Sequence, residues 1–342
     1  MYGRVMPAKV LTLYNHKGGV GKSTITVNLA RGFGQNGIRT LVVDGDPQCS
    51  VSAFYHYEED LDAMLASSSQ NDGNTIWSGI SKARRGRGDV RGLQPGEFDN
   101  NVWLLTGDEA LAPFEDKLSE AWKGCFGRDA QAIDLMSALY RAIQATADNI
   151  RADLVMLDLG PNIGPLNRSL ILGSDYIAVP VACDLFSLRA FGTLGKTLAS
   201  WMKDWSTIRD LAADLKEEDL LLLKGRPVCI GYITQHFNIY RSRATIPFEE
   251  WERKIPPRFK RDVVDPLREI DVGLVPDFKS NKIGSVKSFH GLVPQSQKLG
   301  IALGGLRGQV GVNSGYNPKI QEADTLFREM ATQMAARMGV SR

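Results

Sequence analysis

Cysteine is scarce in this chain, long apolar runs are missing, and neither sign of charge dominates; each shortage removes a class of protein. Only four cysteines occur in 342 residues, Cys49, Cys125, Cys183 and Cys229, and no two of them form a Cys-x-x-Cys pair. Such wide spacing argues against a disulfide framework or a cysteine metal site and predicts reduced, mostly buried thiols. No segment reaches the roughly eighteen consecutive apolar residues of a membrane span, and Met1 to Lys9 lacks the apolar core of a secretory signal, so a cytoplasmic protein is expected. The 41 basic and 39 acidic residues leave a net charge of only +2. Attraction to a polyanion would therefore have to come from a local cluster of cations. A hydrophobic content of 43% and a charged content of 23% are those of a globular protein.

What the chain does have is a concentrated glycine motif, Lys17-Gly18-Gly19-Val20-Gly21-Lys22-Ser23-Thr24. Glycines leave room for several backbone N–H groups to turn inward on one anion, the basis of a phosphate-binding loop. The general pattern, Gly-x-x-x-x-Gly-Lys-Ser/Thr, would place a glycine at position 16, where this chain has His16. Before the motif, Val10-Leu11-Thr12-Leu13-Tyr14 reads as a buried strand; after it, Ile25, Leu29 and Phe33 recur at helical spacing. That order sets a helix N-terminus against the phosphates, where its dipole favours negative charge. Lys22 is expected on the β- and γ-phosphates and the Ser23 hydroxyl on Mg²⁺.

The second lysine, Lys17, makes the motif resemble that of the deviant Walker A ATPases, the ParA/MinD family, whose Lys-Gly-Gly-x-x-Gly-Lys-Ser/Thr is matched without a gap. In that family the lysine reaches across a two-fold dimer to the partner's phosphates, so the resemblance implies an ATP-bound homodimer with Lys17 acting in trans. Two further segments are similar to the family's. Thr40-Leu41-Val42-Val43-Asp44-Gly45-Asp46-Pro47-Gln48 resembles its Asp-x-Asp-Pro-Gln motif; the match implies that Asp46 orients the attacking water and that Asp44 supports the Mg²⁺ shell or holds the loop. Cys49 and Ser50 follow, where the family often has a small residue and then Asn. Leu154-Val155-Met156-Leu157-Asp158-Leu159-Gly160-Pro161 resembles a Walker B strand, with Asp158 on Mg²⁺, leading into a switch II segment that includes Gly164. The catalytic set expected from the resemblance is Lys17, Lys22 and Asp46, with ATP and Mg²⁺ as cofactors, and Pro276 and Asp277 are candidates for contact with the adenine.

Along the remainder, apolar strand candidates alternate with amphipathic helices, which predicts an α/β fold: a mostly parallel sheet flanked by helices on both faces. Strands are expected at Val102-Trp103-Leu104-Leu105-Thr106, from Tyr176 to Val181, from Pro227 to Ile233 and at Leu274-Val275-Pro276. Helices follow from Ile133, Met136, Leu139 and Ile143, and from Leu188, Phe191, Leu194, Leu198 and Trp201; Ser67 to Asn74 reads as a loop. Residues 1–342 are expected to form one P-loop domain, with a basic and aromatic insertion at about 237–262 and a carboxyl-terminal helix at about 317–338. In the insertion Arg241, Arg243, Arg258, Lys260 and Arg261 are candidates for nonspecific DNA contact, against the alternative of a salt-bridged surface with Glu249, Glu250 and Glu252. A second basic run, Lys82 to Gly88, is a further candidate for contact with DNA or a partner, although its glycines favour a mobile loop.

The resemblance implies a partition-type switch: slow ATP hydrolysis, stimulated by a centromere-binding or other partner protein, and nonspecific association with DNA in moving a plasmid, chromosome region or other cargo. A switch in a defence or regulatory system would use the same dimer, and an amide-forming synthetase the same loop. A nitrogenase-type reductase would need cluster cysteines near Gly160-Pro161, where there are none. A MinD-like membrane helix would have to come from Ile320, Ala323, Phe327, Met330, Met334 and Met338, but the opposite face mixes Glu322, Asp324 and Glu329 with Arg328 and Arg337 and lacks the lysine-rich character of an interfacial helix.

Overall fold

Runs such as Leu41-Val42-Val43 are apolar at consecutive positions, which suits strands covered on both faces rather than one. In the computed structural model, which describes residues 7–70, 72–213, 215, 220–235, 248–289 and 291–341, eight strands form one sheet: β1 (Lys9–Leu13), β2 (Thr40–Asp44), β3 (Gly96–Asp99), β4 (Val102–Leu105), β5 (Leu154–Asp158), β6 (Tyr176–Ala182), β7 (Val228–Gln235) and β8 (Lys282–Val286). Their order is β3-β4-β2-β5-β1-β6-β7-β8. Every pair is parallel except β3 with β4, an antiparallel edge. β1 sits between β5 and β6, so the loop that leaves it opens at the centre of the sheet, the usual position for a ligand in an open α/β sheet.

Alternate strand residues feed two cores. Val10, Leu41, Val43, Val155 and Leu157 pack on one face; Leu11, Leu13, Val42, Leu154 and Met156 pack on the other. Each fully buried Val or Leu contributes about 1.5–3 kcal/mol through removal from water. The first face is covered by α2 (Leu111–Phe126), α3 (Ala130–Asn149), α4 (Pro165–Gly173), α5 (Leu185–Leu211) and α6 (Phe248–Phe259). The second is covered by α1 (Lys22–Gln35) and α8 (Asn317–Met338), with α7 (Val293–Leu299) at the loop end. Three short helices, Ser52–Tyr55, Glu58–Ser67 and Ile76–Gly79, lie between β2 and β3.

α8 turns Ile320, Ala323, Phe327, Met330, Met334 and Met338 into the core beside α1. The apolar stripe that a membrane helix would need is therefore consumed by packing. Among the described residues no helix is long and apolar enough to cross a membrane, and all four cysteines are free and buried.

One expectation is corrected. Leu274-Val275-Pro276 is not a strand. Val272–Leu274 is a 3₁₀ turn capped by the Asp271 side chain, which accepts the Gly273 N–H at 2.7 Å, and Pro276 has no N–H to give a ladder. The late strand is instead β8, with the sequence Lys-Ile-Gly-Ser-Val. Within the insertion, α6 holds Ile255 and Phe259 in the core, with the Phe259 ring 5.4 Å from Phe191 and 4.9 Å from Tyr232; the segment then runs through a π-helical turn, Lys260–Val264. Arg241 and Arg243 lie outside the described residues.

Candidate functional site

The chain leaves β1, turns through Gly19 and Gly21, both at φ 71°, and enters α1 directly at Lys22. Gly21 is the N-cap in the left-handed region with no side chain to cap the helix. The first N–H groups of α1 therefore point into the loop without a side-chain acceptor from the cap, as an anion site requires. Lys22 is only 7% exposed. Its Nζ reaches the carbonyl oxygens of Asn15 at 3.1 Å and Lys17 at 3.4 Å. Burial lowers its pKa, opposed by the charges of Asp158 and Asp46. An ammonium held among neutral carbonyls is short of negative charge, and a phosphate group in the loop would supply it.

Facing it are the carboxylates at the ends of neighbouring strands. Asp44 and Asp158 are paired in register across β2 and β5 and both are fully buried. Burial, with the charge of Asp158, pushes Asp44 up to about 7; burial also lifts Asp158 to about 6, against hydrogen bonds from Ser23 and Thr26 and the Lys22 charge. Ser23 Oγ donates to Asp158 Oδ2 at 2.6 Å and Thr26 Oγ1 to Oδ1 at 3.1 Å. This hydroxyl–carboxylate pair is short of positive charge and made of hard oxygen donors, so it fits a hydrated Mg²⁺. Asp44 differs: its Oδ2 accepts both the N–H and the hydroxyl of Ser52 at 2.7 Å, and its Oδ1 the Asp46 N–H at 3.2 Å. Its oxygens are turned to the loop that carries Asp46. Asp46, 7% exposed, accepts the Gln48 N–H at 3.0 Å and lies against Gly160.

Lys17 is folded back on its own chain. Its Nζ bonds Asp184 Oδ2 at 2.5 Å and Ser187 Oγ at 3.0 Å, while Asp184 Oδ1 caps α5 by accepting the Ser187 N–H at 2.7 Å. Both charged side chains are 25% exposed, and the rings and chains beside them, Phe186 and Leu185, are exposed at 69% and 41%. The lysine thus stands at an open apolar rim.

Beside Ser23 and Thr24 lies a cleft of about 440 Å³, walled by Val27 and Asn28 of α1, by Ser50, Ala53 and Phe54 after β2, and by Val293, Ser296 and Gln297 of α7. Its volume is in the range of small-molecule sites. The structure brings Lys17 to Thr24, Asp44, Asp46 and Asp158 together. Pro276 and Asp277 are not brought there: they precede β8, on the amino-terminal side of a parallel strand, and Asp277 pairs with Arg268 at 2.5 Å. Arg258 and Arg261 both pair with Asp262, at 3.5 and 2.7 Å, whereas Lys260 is exposed. Residues that sequence reading missed are Asn15, Asp184, Ser187 and Gln235. Gln235 ends β7, is 7% exposed, has no hydrogen-bond partner for its Oε1 among the described residues and abuts Gly21; its place at a carboxyl strand end was the available signal.

Residues 8–208, more than half of the chain, match the family described as an AAA domain. The chain is 25% identical to the chromosome partitioning protein ParA of Myxococcus xanthus, over 63% of this chain and 64% of that one. It belongs to the AAA-domain family, as a ParA-like P-loop ATPase. This ParA-like chain is also 31% identical to the uncharacterized protein Rv1708 of Mycobacterium tuberculosis over 56% of its own length, and it spans about half of that relative, 52%. Among solved structures, protein DIP2308 from Corynebacterium diphtheriae superposes with a TM-score of 0.68 at 22% identity, covering 96% of this chain and 98% of the other. At that identity the likeness concerns the ParA-like fold.

Proposed function

We propose that this ParA-like protein is a Mg-ATP-dependent switch: it binds ATP as a monomer, closes into a sandwich dimer, associates with DNA without sequence preference, and reopens after slow hydrolysis stimulated by a partner protein. The cargo class is that of a partition system, a plasmid, chromosome region or other large body, and the working location is the cytoplasm at the nucleoid. The observation that supports this best is the pair of lysines. Lys22 is buried in the loop among carbonyls, whereas Lys17 stands on an open rim flanked by Leu185 and Phe186. One cation is placed for the chain's own nucleotide and the other is free to be redirected.

In this reading Lys22 and the inward N–H groups of the loop bind the β- and γ-phosphates. Ser23 and Asp158 hold Mg²⁺, which supplies neutralisation of phosphate charge. Asp46 orients the attacking water, with Asp44 fixing its loop through Ser52. Lys17 leaves Asp184 and completes the partner's site, stabilising charge that develops on the transferred group. The purine lies in the cleft between Thr24 and α7, away from Pro276 and Asp277.

The test is ATP turnover by the wild type, Lys22→Ala and Asp46→Ala, read together with ATP affinity. Lys22→Ala is expected to lose affinity, and Asp46→Ala to keep it while turnover falls by at least about a hundredfold, the usual contribution of a positioned acid–base group. Equal turnover by Asp46→Ala and wild type rejects the assignment of Asp46.

A further inference from the structure

α5 joins the nucleotide site to the flank of the molecule: Asp184 and Ser187 at its start hold Lys17, and the helix continues for 27 residues to Leu211. One edge of it is buried through Leu188, Phe191, Leu194, Leu198, Met202 and Trp205. The opposite edge carries Arg189, Lys196 and Lys203, all exposed and spaced by seven residues, hence on one line. Between them lie small residues, Gly192, Thr193 and Ser200, and nothing stands within 4 Å of where a Gly192 Cβ would be. The only acid between Leu185 and Thr207 is Asp204, which takes a hydrogen bond from Ser200 and acts on Arg168. Among the described residues none of the three cations has an ion pair, in contrast to Arg258 and Arg261, which share Asp262.

We propose that this edge of α5, Arg189, Lys196 and Lys203, is the surface that docks the phosphate backbone of duplex DNA. The proposal rests on the reading that the ATP-bound form associates with DNA, and it moves the contact from the insertion to α5. A seven-residue step along a helix rises about 10.5 Å, so the three cations form a positive stripe roughly 21 Å long, and duplex DNA offers one negative charge per about 1.7 Å of its axis. Three cations with no ion pair among the described residues therefore present a polyanion with a continuous positive edge, and the small residues between them let the backbone approach. No side chain on the edge reads a base, so the contact is indifferent to sequence. A dimer carries two such edges, each starting next to a Lys17, so the ATP-dependent step that redirects Lys17 also brings six cations into one assembly.

The experiment is fluorescence-anisotropy titration of a labelled random-sequence duplex with full-length protein and Mg-ATP, at several salt concentrations. Arg189→Ala/Lys196→Ala/Lys203→Ala is compared with wild type, with the charge-keeping Arg189→Lys/Lys196→Arg/Lys203→Arg, and with Lys260→Ala/Arg261→Ala. Loss of three phosphate contacts should flatten the slope of log K against log salt by about 2.7 per protomer and weaken binding by at least about tenfold at moderate salt. The charge-keeping variant should bind as wild type does, and basal turnover without DNA should be unchanged in all. If the alanine variant binds with wild-type affinity and slope while Lys260→Ala/Arg261→Ala loses binding, the α5 surface is overturned and the insertion takes its place. If wild type fails to bind even at low salt, the DNA reading falls and this surface with it. Should the triple variant melt early, single Lys196→Gln must still flatten the slope by about 0.9.

Discussion

Adding one methyl group at Gly160 tests whether the position of Asp46 matters to hydrolysis. A Cβ built there lies 3.0 Å from Asp46 Oδ1, 3.3 Å from its Cγ and 3.5 Å from Oδ2. Gly160 is not among the residues with positive φ, so alanine meets no backbone strain and the contact alone decides the outcome. The Asp46 carboxylate, tethered to the Gln48 N–H at 3.0 Å, must shift by a few tenths of an ångström. A misplacement of about 1 Å costs on the order of a hundredfold in rate, so a shift of roughly a third to a half of that predicts a loss of about four- to tenfold, or about 0.8–1.4 kcal/mol of transition-state stabilisation. Overpacking of this kind typically destabilises by about 1–3 kcal/mol. The assay is single-turnover hydrolysis at saturating ATP, alongside ATP affinity by equilibrium titration and a thermal melt. Gly160→Ala should lower the rate and leave affinity within about twofold, since the methyl faces Asp46 and not the loop. A wild-type rate in Gly160→Ala, with Asp46→Ala inactive, would refute the reasoning, as would a fall in affinity parallel to the fall in rate.

Other perturbations have expected outcomes of their own. Gly21→Ala would force a side chain into the left-handed region at φ 71° and onto Gln235, whose Oε1 lies 2.0 Å from the built Cβ; the backbone strain alone costs about 1–2 kcal/mol, and pairing it with Gln235→Ala should recover the clash but not the strain, as read by denaturant unfolding. Asp184→Asn keeps an acceptor for the Ser187 N–H but removes the charge that holds Lys17; the pair is partly exposed, so stability should change by less than about 1 kcal/mol, while ATP-induced association should strengthen in analytical ultracentrifugation, and weakened association would contradict the idea of a lysine held in reserve. Asp44 at about 7 and Asp158 at about 6 stand above their unfolded values, near 4. The folded protein therefore holds protons that the unfolded chain has lost, a stabilisation full below about pH 4 and lost as pH rises through about 6 to 7. Nucleotide-free protein should melt lower at about pH 8 than at about pH 6, and Mg-ATP should shrink the difference; a nucleotide-free melt that rises over that range would show that the pair does not carry protons.

The parts of this molecule that were legible in the sequence are those written locally. The glycine motif sits between an apolar strand and a periodic helix, and the strands β1, β2, β4, β5 and β6 are consecutive apolar runs because both of their faces are buried. The edges were not legible. β3, Gly-Glu-Phe-Asp, and β8, Lys-Ile-Gly-Ser-Val, are partly exposed and carry no such run. Leu274-Val275-Pro276 has the apolar look of a strand, yet Asp271 and Gly273 beside it prefer a turn. The Lys17–Asp184 pair joins residues 167 apart, and no local pattern announces such a contact. The same holds for the cleft wall: α7 arrives at Thr24 through the course of the chain after β8, whereas Pro276 lies before it. Clustering of cations was a poor guide to free charge, since Arg258 and Arg261 sit on Asp262, while the evenly spaced Arg189, Lys196 and Lys203 are separated by enough sequence to look unremarked.

The central claim is that nucleotide state controls association through Lys17, and the mass of the particle tests it most directly. Light scattering on a sizing column of Asp46→Ala, with Mg-ATP and with Mg-ADP, and of the same variant carrying Lys17→Ala, is the measurement. The account predicts a dimer of twice the chain's 37.6 kDa with ATP alone, a monomer with ADP, and a monomer throughout once Lys17 is removed. A monomer in every condition, or a dimer indifferent to nucleotide and to Lys17, would contradict it.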